Sequence, residues 1–273
     1  MGHDEKIITC EFMGGLGNQL FQAAHVIAQS YRTKRSPLFR PKSETNRQGR
    51  EIKNYVDNIF SKLKFVDIIN NCDVVREIDW SYNQVQPLDK NTTFWGYFQS
   101  EKNFEEYKKQ IVDLFKPKQE FISKIYGLYP RIMNEKTISV HVRRGDSFSA
   151  QNIHPMVTKS YIDKCLGLLE EYSHIFCFSD DKEWVKNNLD YENITFVEGL
   201  EDYEELWMMS LCQFNIIPNS TFSWWAAYLN QNPNKRVMVP SIWFGPDGPE
   251  NYKDIYVPDW EIIQVINDNG WLI

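Results

Sequence analysis

Short apolar runs rich in β-branched and aromatic residues alternate with longer stretches of helical spacing through most of the chain. Ile7 to Phe12 predicts a first strand. The turn Met13-Gly14-Gly15-Leu16-Gly17 follows, then a helix from about Asn18 to Arg32 with Leu20, Ala23, Ala24, Ile27 and Ala28 on one face. A short strand at 37–39 ends in Arg40. Residues 41–56 read as a mobile polar loop, and residues 55–75 as short mixed elements. Thr92 to Phe98 predicts another core strand, and Pro117 separates two helices at about 104–115 and 118–126.

Beyond a boundary expected around Tyr129 to Lys136 the alternation becomes regular. Strands are predicted at 138–142, 175–178, 194–197, 214–217 and 236–239, with helices at 159–171, 182–188, 202–211 and 222–230. A last strand is expected at 261–266. Repeated strand–helix units imply a parallel sheet covered on both faces. The expected fold class is α/β: two Rossmann-like domains, residues 1–132 and 133–273, facing a central cleft.

Composition narrows the class. A hydrophobic fraction of 42% over 273 residues supports a sizeable core, and the net charge of -7 argues against a nucleic-acid partner. The five cysteines form no CxxC pair, and several sit in apolar runs such as Ile175-Phe176-Cys177-Phe178. Buried thiols in a reducing compartment are the simpler expectation. The N-terminus has no signal-peptide core and no apolar run is long enough to span a bilayer. A cytoplasmic protein without a transmembrane segment follows, with peripheral association at the inner membrane face as an option.

The candidate chemistry lies just past the predicted strands. Ile138 to Val142 runs straight into Arg143-Arg144-Gly145-Asp146. Paired guanidiniums at a strand's carboxyl end suit phosphate oxygens; the plainer reading is a surface ion-pair cluster. Asn219-Ser220-Thr221-Phe222-Ser223-Trp224-Trp225 sets hydroxyls at a helix start, where free N–H groups attract anions or the side chains simply cap. Ser179-Asp180-Asp181 suits ribose hydroxyls or helix capping. Among Glu201, Asp202, Glu204 and Glu205, one carboxylate could accept from N1–H and the 2-amino group of guanine; a dipole-favoured helix start is the alternative. Asn18 and Gln19 could bind a ligand, or Asn18 could cap the first helix. The glycines run G-G-x-G, a weak dinucleotide fingerprint. No Asp-x-Asp, HExxH or Gly-Lys-Ser/Thr loop occurs, so a diphosphate would be neutralised by arginines and helix dipoles, with no metal and no cofactor.

Taken together, Gly14-Gly15-Leu16-Gly17-Asn18-Gln19-Leu20-Phe21-Gln22, His141-Val142-Arg143-Arg144-Gly145-Asp146, Ser179-Asp180-Asp181 and Asn219 to Trp225 resemble the ordered motifs of the α-1,2-fucosyltransferases, glycosyltransferase family 11. The resemblance spans roughly Gly14 to Trp243. It implies a GT-B-type, metal-independent, inverting enzyme of bacterial type, serving O-antigen or capsule synthesis. Its donor would be GDP-fucose and its acceptor a galactose-terminated glycan. Arg143 and Arg144 would hold the diphosphate, with His141 beside the nucleotide and Asp180 on the donor. Ser220, Thr221 and Ser223 would complete the phosphate cradle, with Asn219 and Phe222 on the same turn. Glu205 falls near the family's guanine-contacting carboxylate. Gly15, Asn18 and Gln19 would contribute from the N-terminal domain. Related α-1,6 enzymes place a glutamate where this chain has Gln151, so the base is sought elsewhere: Asp146 first, His154 second. Transfer to another linkage, an NADP-dependent oxidoreductase and a non-catalytic glycan-binding protein are the competing readings.

Overall fold

The computed structural model describes residues 6–42, 51–145, 150–264 and 266. Residues 43–50 of the predicted loop over 41–56 therefore fall outside the described residues, as does Asp146; of the rest, Ile52–Asn54 form a 3₁₀ turn with Ile52 and Tyr55 buried. Two compact units emerge: Met1–Lys116 with Asn251–Val257, and Pro117–Glu250 with Pro258–Ile273.

In the first unit, β1 (Ile7–Cys10) leads through the glycine turn into α1 (Leu16–Thr33). Then come β2 (Ser36–Pro37), β3 (Asp73–Arg76), β4 (Thr92–Trp95) and α2 (Lys108–Phe115). The four strands are parallel in the order β2-β1-β4-β3. Helix α1 is buried along most of its length because it crosses the sheet, and it carries a polar row inside. Gln22 accepts from the Met13 N–H at 3.0 Å and donates to the Gly96 carbonyl at 3.0 Å. The His25 Nδ1 meets Asn103 Oδ1 at 3.1 Å, and Gln29 donates to the Val85 carbonyl at 2.7 Å. These side chains satisfy buried backbone of irregular segments that have no ladder partner.

The second unit holds α3 (Gln119–Leu128), α4 (Arg131–Asn134), β5 (Thr137–Val142), α5 (Lys159–Gly167), β6 (His174–Ser179), α6 (Lys182–Asn188) and β7 (Ile194–Phe196). It continues through α7 (Asp202–Leu211), β8 (Phe214–Ile216), α8 (Thr221–Leu229), β9 (Arg236–Pro240) and β10 (Glu261–Ile263). All six strands are parallel, ordered β10-β9-β8-β5-β6-β7. β5 and β6 are buried at every position because helices cover both faces; β6 carries the apolar run Ile175 to Phe178, while β5 buries Thr137, Ser139 and His141 between Ile138, Val140 and Val142. Ile138, Val140 and Val142 pack with Ile162 and Leu166 in one core, while Trp224 and Trp225 of α8 are fully buried.

The expected α/β class with two parallel sheets holds, and each predicted element of the second half recurs within a few residues. The boundary expected at 132/133 does not; the units divide after Lys116. Phe121 of α3 packs on Trp207 at 5.3 Å, Lys124 pairs with Glu204 at 2.6 Å, and Tyr129 meets Phe176 edge-on at 5.6 Å. These contacts tie α3 to the second unit. Residues 251–257 return to the first, where Asp254 accepts from the Tyr82 N–H at 2.8 Å and pairs with Lys102. The strand expected to reach Phe98 stops at Trp95, since Phe98 turns at φ 53.

Candidate active site

Both sheets have a topological switch point, and each falls on a sequence motif. In the second unit the chain runs from β5 outward through β6 and β7, then crosses to β8 on the other side of β5. Open α/β sheets bind ligands outside the carboxyl ends of their strands at such a reversal. The motif after β5 and the motif after β8 meet there, with the His141 and Phe222 rings 5.5 Å apart.

His141 is 7% exposed, and among the described residues no group hydrogen-bonds its Nδ1. Burial, reinforced by the Arg143 charge, pushes the imidazole down to about 3, so the ring is neutral at ordinary pH. Ser220 is the N-cap of α8, but its side chain makes no capping bond. The Ser223 hydroxyl instead donates to the Ser220 carbonyl at 3.3 Å, and Asn219 donates to the Trp243 carbonyl at 3.0 Å. Simple capping therefore does not account for the Ser220 hydroxyl. The first turn of α8 keeps its positive dipole end beside a buried imidazole nitrogen.

The two arginines have different surroundings. Arg143 stands half-buried one residue past β5 with its charge felt at His141. Arg144 is braced. Its backbone N–H donates to Asp180 Oδ1 at 2.8 Å and its Nε to Asp181 Oδ2 at 3.3 Å, while its guanidinium lies 4.1 Å from the Trp184 ring centre. Its side chain is 11% exposed. The ion-pair reading thus describes Arg144. Asp181 also caps α6 by accepting from the Trp184 N–H at 3.0 Å. Asp180 is exposed and holds the turn after β5.

On α7, Glu201 and Glu204 form a reciprocal capping box, and Asp202 accepts from the Tyr203 N–H at 2.7 Å. Glu205 stands half-buried on the same turn outside that box. His154 is exposed with its ring 5.5 Å from Phe244.

Three of the predicted residues belong to the first unit's own switch point, between β1 and β4. Gly15, not Asn18, is the N-cap of α1, so the helix starts two residues before the expected position and Asn18 falls in its first turn. Asn18 Oδ1 accepts from Gln99 at 2.9 Å. Gln19 is fully buried and donates to the Gly14 carbonyl at 3.0 Å, bracing the glycine turn. Gly14 sits at φ 73, where a Cβ would lie 2.4 Å from Asn18 Nδ2. A Cβ on Gly15 would meet nothing within 4 Å. Sequence reading passed over Glu77, Trp80 and Tyr97 at this edge, because they belong to no pattern until β3 and β4 pair.

Two α/β units, each built on a parallel sheet, place the fold in the GT-B class. Residues 3–264 match the model of glycosyl transferase family 11, and the chain belongs to that family. It is 31% identical over 273 aligned residues to an alpha-1,2-colitosyltransferase of Escherichia coli, covering 88% of this chain and 93% of the relative. The O-antigen biosynthesis glycosyltransferase WbnK of Escherichia coli is 29% identical over 68% of this chain and 63% of its own length. Among solved structures, fucosyltransferase NodZ from Bradyrhizobium superposes with a TM-score of 0.53 at 16% identity, covering 91% of this chain and 97% of that one. The NodZ alpha-1,6-fucosyltransferase co-crystallised with GDP gives 0.54 over 82% and 92%. No helix among the described residues is long and apolar enough to cross a membrane.

Proposed function

We propose that this family 11 glycosyltransferase moves L-fucose from GDP-β-L-fucose to O2 of a terminal galactose with inversion, without a metal or other cofactor. The observation that carries the reading is the pairing of a buried, hydrogen-bond-free His141 Nδ1 with the α8 N-terminus, whose N-cap hydroxyl makes no capping bond. Arg143 completes the cradle beside them. The motif match supplies GDP-fucose, and the GDP-bound structural neighbour supports a guanine nucleotide.

In the reaction the acceptor oxygen bonds to the anomeric carbon as the bond from that carbon to the β-phosphate oxygen breaks, releasing GDP. Negative charge grows on the diphosphate. Arg143, the α8 N–H groups and the hydroxyls of Ser220, Thr221 and Ser223 stabilise it there, more strongly in the transition state than before it. Arg144 contributes by holding the turn that carries Arg143. Asp180 binds the donor beside it and Glu205 takes the guanine edge. The acceptor's proton passes to a general base, assigned to Asp146 with His154 as the alternative.

The colitosyltransferase relative favours a second donor. Colitose is fucose without its 3-hydroxyl, and the same diphosphate chemistry serves both. The deciding experiment incubates the protein with GDP-fucose or GDP-colitose and a panel of galactosides in excess EDTA, read by mass and linkage analysis. An α-1,2-fucosylated galactoside is expected. Exclusive use of GDP-colitose moves the assignment to that donor, and activity restored only by Mn²⁺ overturns metal independence.

A further inference from the structure

The carboxyl edge of the first unit's sheet holds a group of side chains that the donor reading leaves unused. Trp80 and Tyr97 follow β3 and β4, neighbouring strands beside the β1–β4 switch point. Their rings stack at 5.4 Å with 22° between the planes, and both are half-buried. A carboxylate holds each ring through the backbone that carries it. Asp79 Oδ1 accepts from the Ser81 N–H at 2.8 Å, the Ser81 hydroxyl at 2.6 Å and Asn83 Nδ2 at 3.1 Å, closing the loop around Trp80. Glu77 accepts from the Tyr97 N–H at 2.7 Å through one oxygen and from the Phe98 N–H at 2.9 Å through the other.

That arrangement is costly for the fold. Phe98 occupies φ 53, and Gly96 packs so closely that a Cβ would lie 2.3 Å from Glu77 Cβ. Burial pushes the Glu77 carboxyl up to about 7. The Phe98 turn is offset by its own burial against His25, at 3.9 Å, and Phe94. The Trp80–Tyr97 pair, by contrast, stays half-exposed with a desolvated carboxyl beside it, and such desolvation gathers at functional sites.

The chemistry selects the ligand. Aromatic faces take the C–H face of a pyranose, and carboxylate lone pairs not used by the two N–H groups accept from sugar hydroxyls. The Asp79 carboxylate, joined by Glu77 in the fraction that is ionised, repels a nucleoside diphosphate. We propose that Trp80 and Tyr97 are the stacking platform for the acceptor's pyranose ring, with Glu77 and Asp79 as the positioning residues that hold the two rings. The proposal rests on the glycosyl-transfer reading, which supplies a neutral sugar as co-substrate.

Saturation-transfer NMR on the full chain with methyl glycosides of galactose, glucose and N-acetylglucosamine tests the platform without donor. Calorimetry with GDP tests the donor reading separately. Wild type should give a signal with at least one glycoside. Trp80→Ala and Tyr97→Ala should lose it while GDP affinity stays within about two-fold, and Trp80→Phe should retain it. If an alanine variant fails to fold, Trp80→Leu and Tyr97→Leu keep apolar volume without the ring and should lose the signal equally. Glu77→Gln should raise the acceptor KM about ten-fold with kcat and GDP affinity little changed, a split that a merely structural role would not give. A glycoside signal that survives loss of either ring, or no signal in wild type, overturns the platform. Glycoside binding without GDP binding overturns the donor reading and leaves the platform standing.

Discussion

Arg143 and Arg144 are adjacent in sequence but are given different work by their surroundings. Arg144 is tied to Asp181 and lies on Trp184, so its removal loosens the turn after β5. Arg144→Ala should lower stability by about 1–2 kcal/mol, from lost stacking and pairing, and reduce transfer only through that turn. Arg143→Ala should cut kcat/KM by about 10²-fold or more and weaken GDP binding. Steady-state kinetics with GDP calorimetry separates the two, and equal losses in both variants would remove the distinction. The buried histidines set a pH response. His25 and His141 are both pushed from 6.5 down to about 3, chiefly by burial. Between those values the unfolded chain binds more protons than the folded one, so stability is complete above pH 6.5 and falls as pH drops towards 3. Urea midpoints should decline across that window, and His141→Asn should flatten part of the slope; an unaltered slope would show that His141 is not the linked group.

At the scale of elements, the glycine turn between β1 and α1 separates a structural from a functional requirement. Gly14 has a left-handed φ of 73 and close contact with Asn18. Gly14→Ala should cost about 1–3 kcal/mol in urea unfolding. Gly15 has open space where a Cβ would go, so Gly15→Ala should cost no more than about 0.5 kcal/mol. Loss of transfer in Gly15→Ala with stability intact would mean that a ligand approaches the backbone there. α8 shows the same separation. Its two tryptophans are core, while its N-cap Ser220 is buried with a side chain that makes no capping bond. The helix is anchored by one end and presents the other.

For the molecule as a whole, two sheets with two switch points imply separate ligand edges. GDP at about 100 times its Kd should stabilise the protein by ~2.7 kcal/mol. Hydrogen exchange should show that protection concentrated after β5, β6 and β8, in peptides covering 141–145, 179–184 and 217–224. Protection spread evenly over β1, β3 and β4 as well would contradict a cradle built by the second unit. The segment 251–257 crosses back to the first unit through Asp254, so the two units share chain as well as a border at Lys116.

Periodicity alone determined most of the second sheet. Helices cover both faces of β5 and β6; β6 shows that burial as the apolar run Ile175 to Phe178, while β5 alternates polar and apolar residues and is legible through its β-branched positions. The motifs after β5, β6 and β8 were equally legible, because strand ends in α/β folds are where polar residues serve ligands and not the core. Their convergence was not legible. Strand order decides it, and order arises from which edges pair across long separations, a property that no local window records. The same pairing places Trp80 beside Tyr97 and Glu77 beneath the Tyr97–Phe98 turn, residues that are unremarkable until β3 lies against β4. Tertiary contacts also moved the domain boundary to Lys116, since the apolar face of α3 fits either unit by pattern and contacts such as Phe121 on Trp207 and Lys124 with Glu204 choose one. They divided the arginine pair as well: two identical side chains differ only in what surrounds them, and Asp181 and Trp184 surround one.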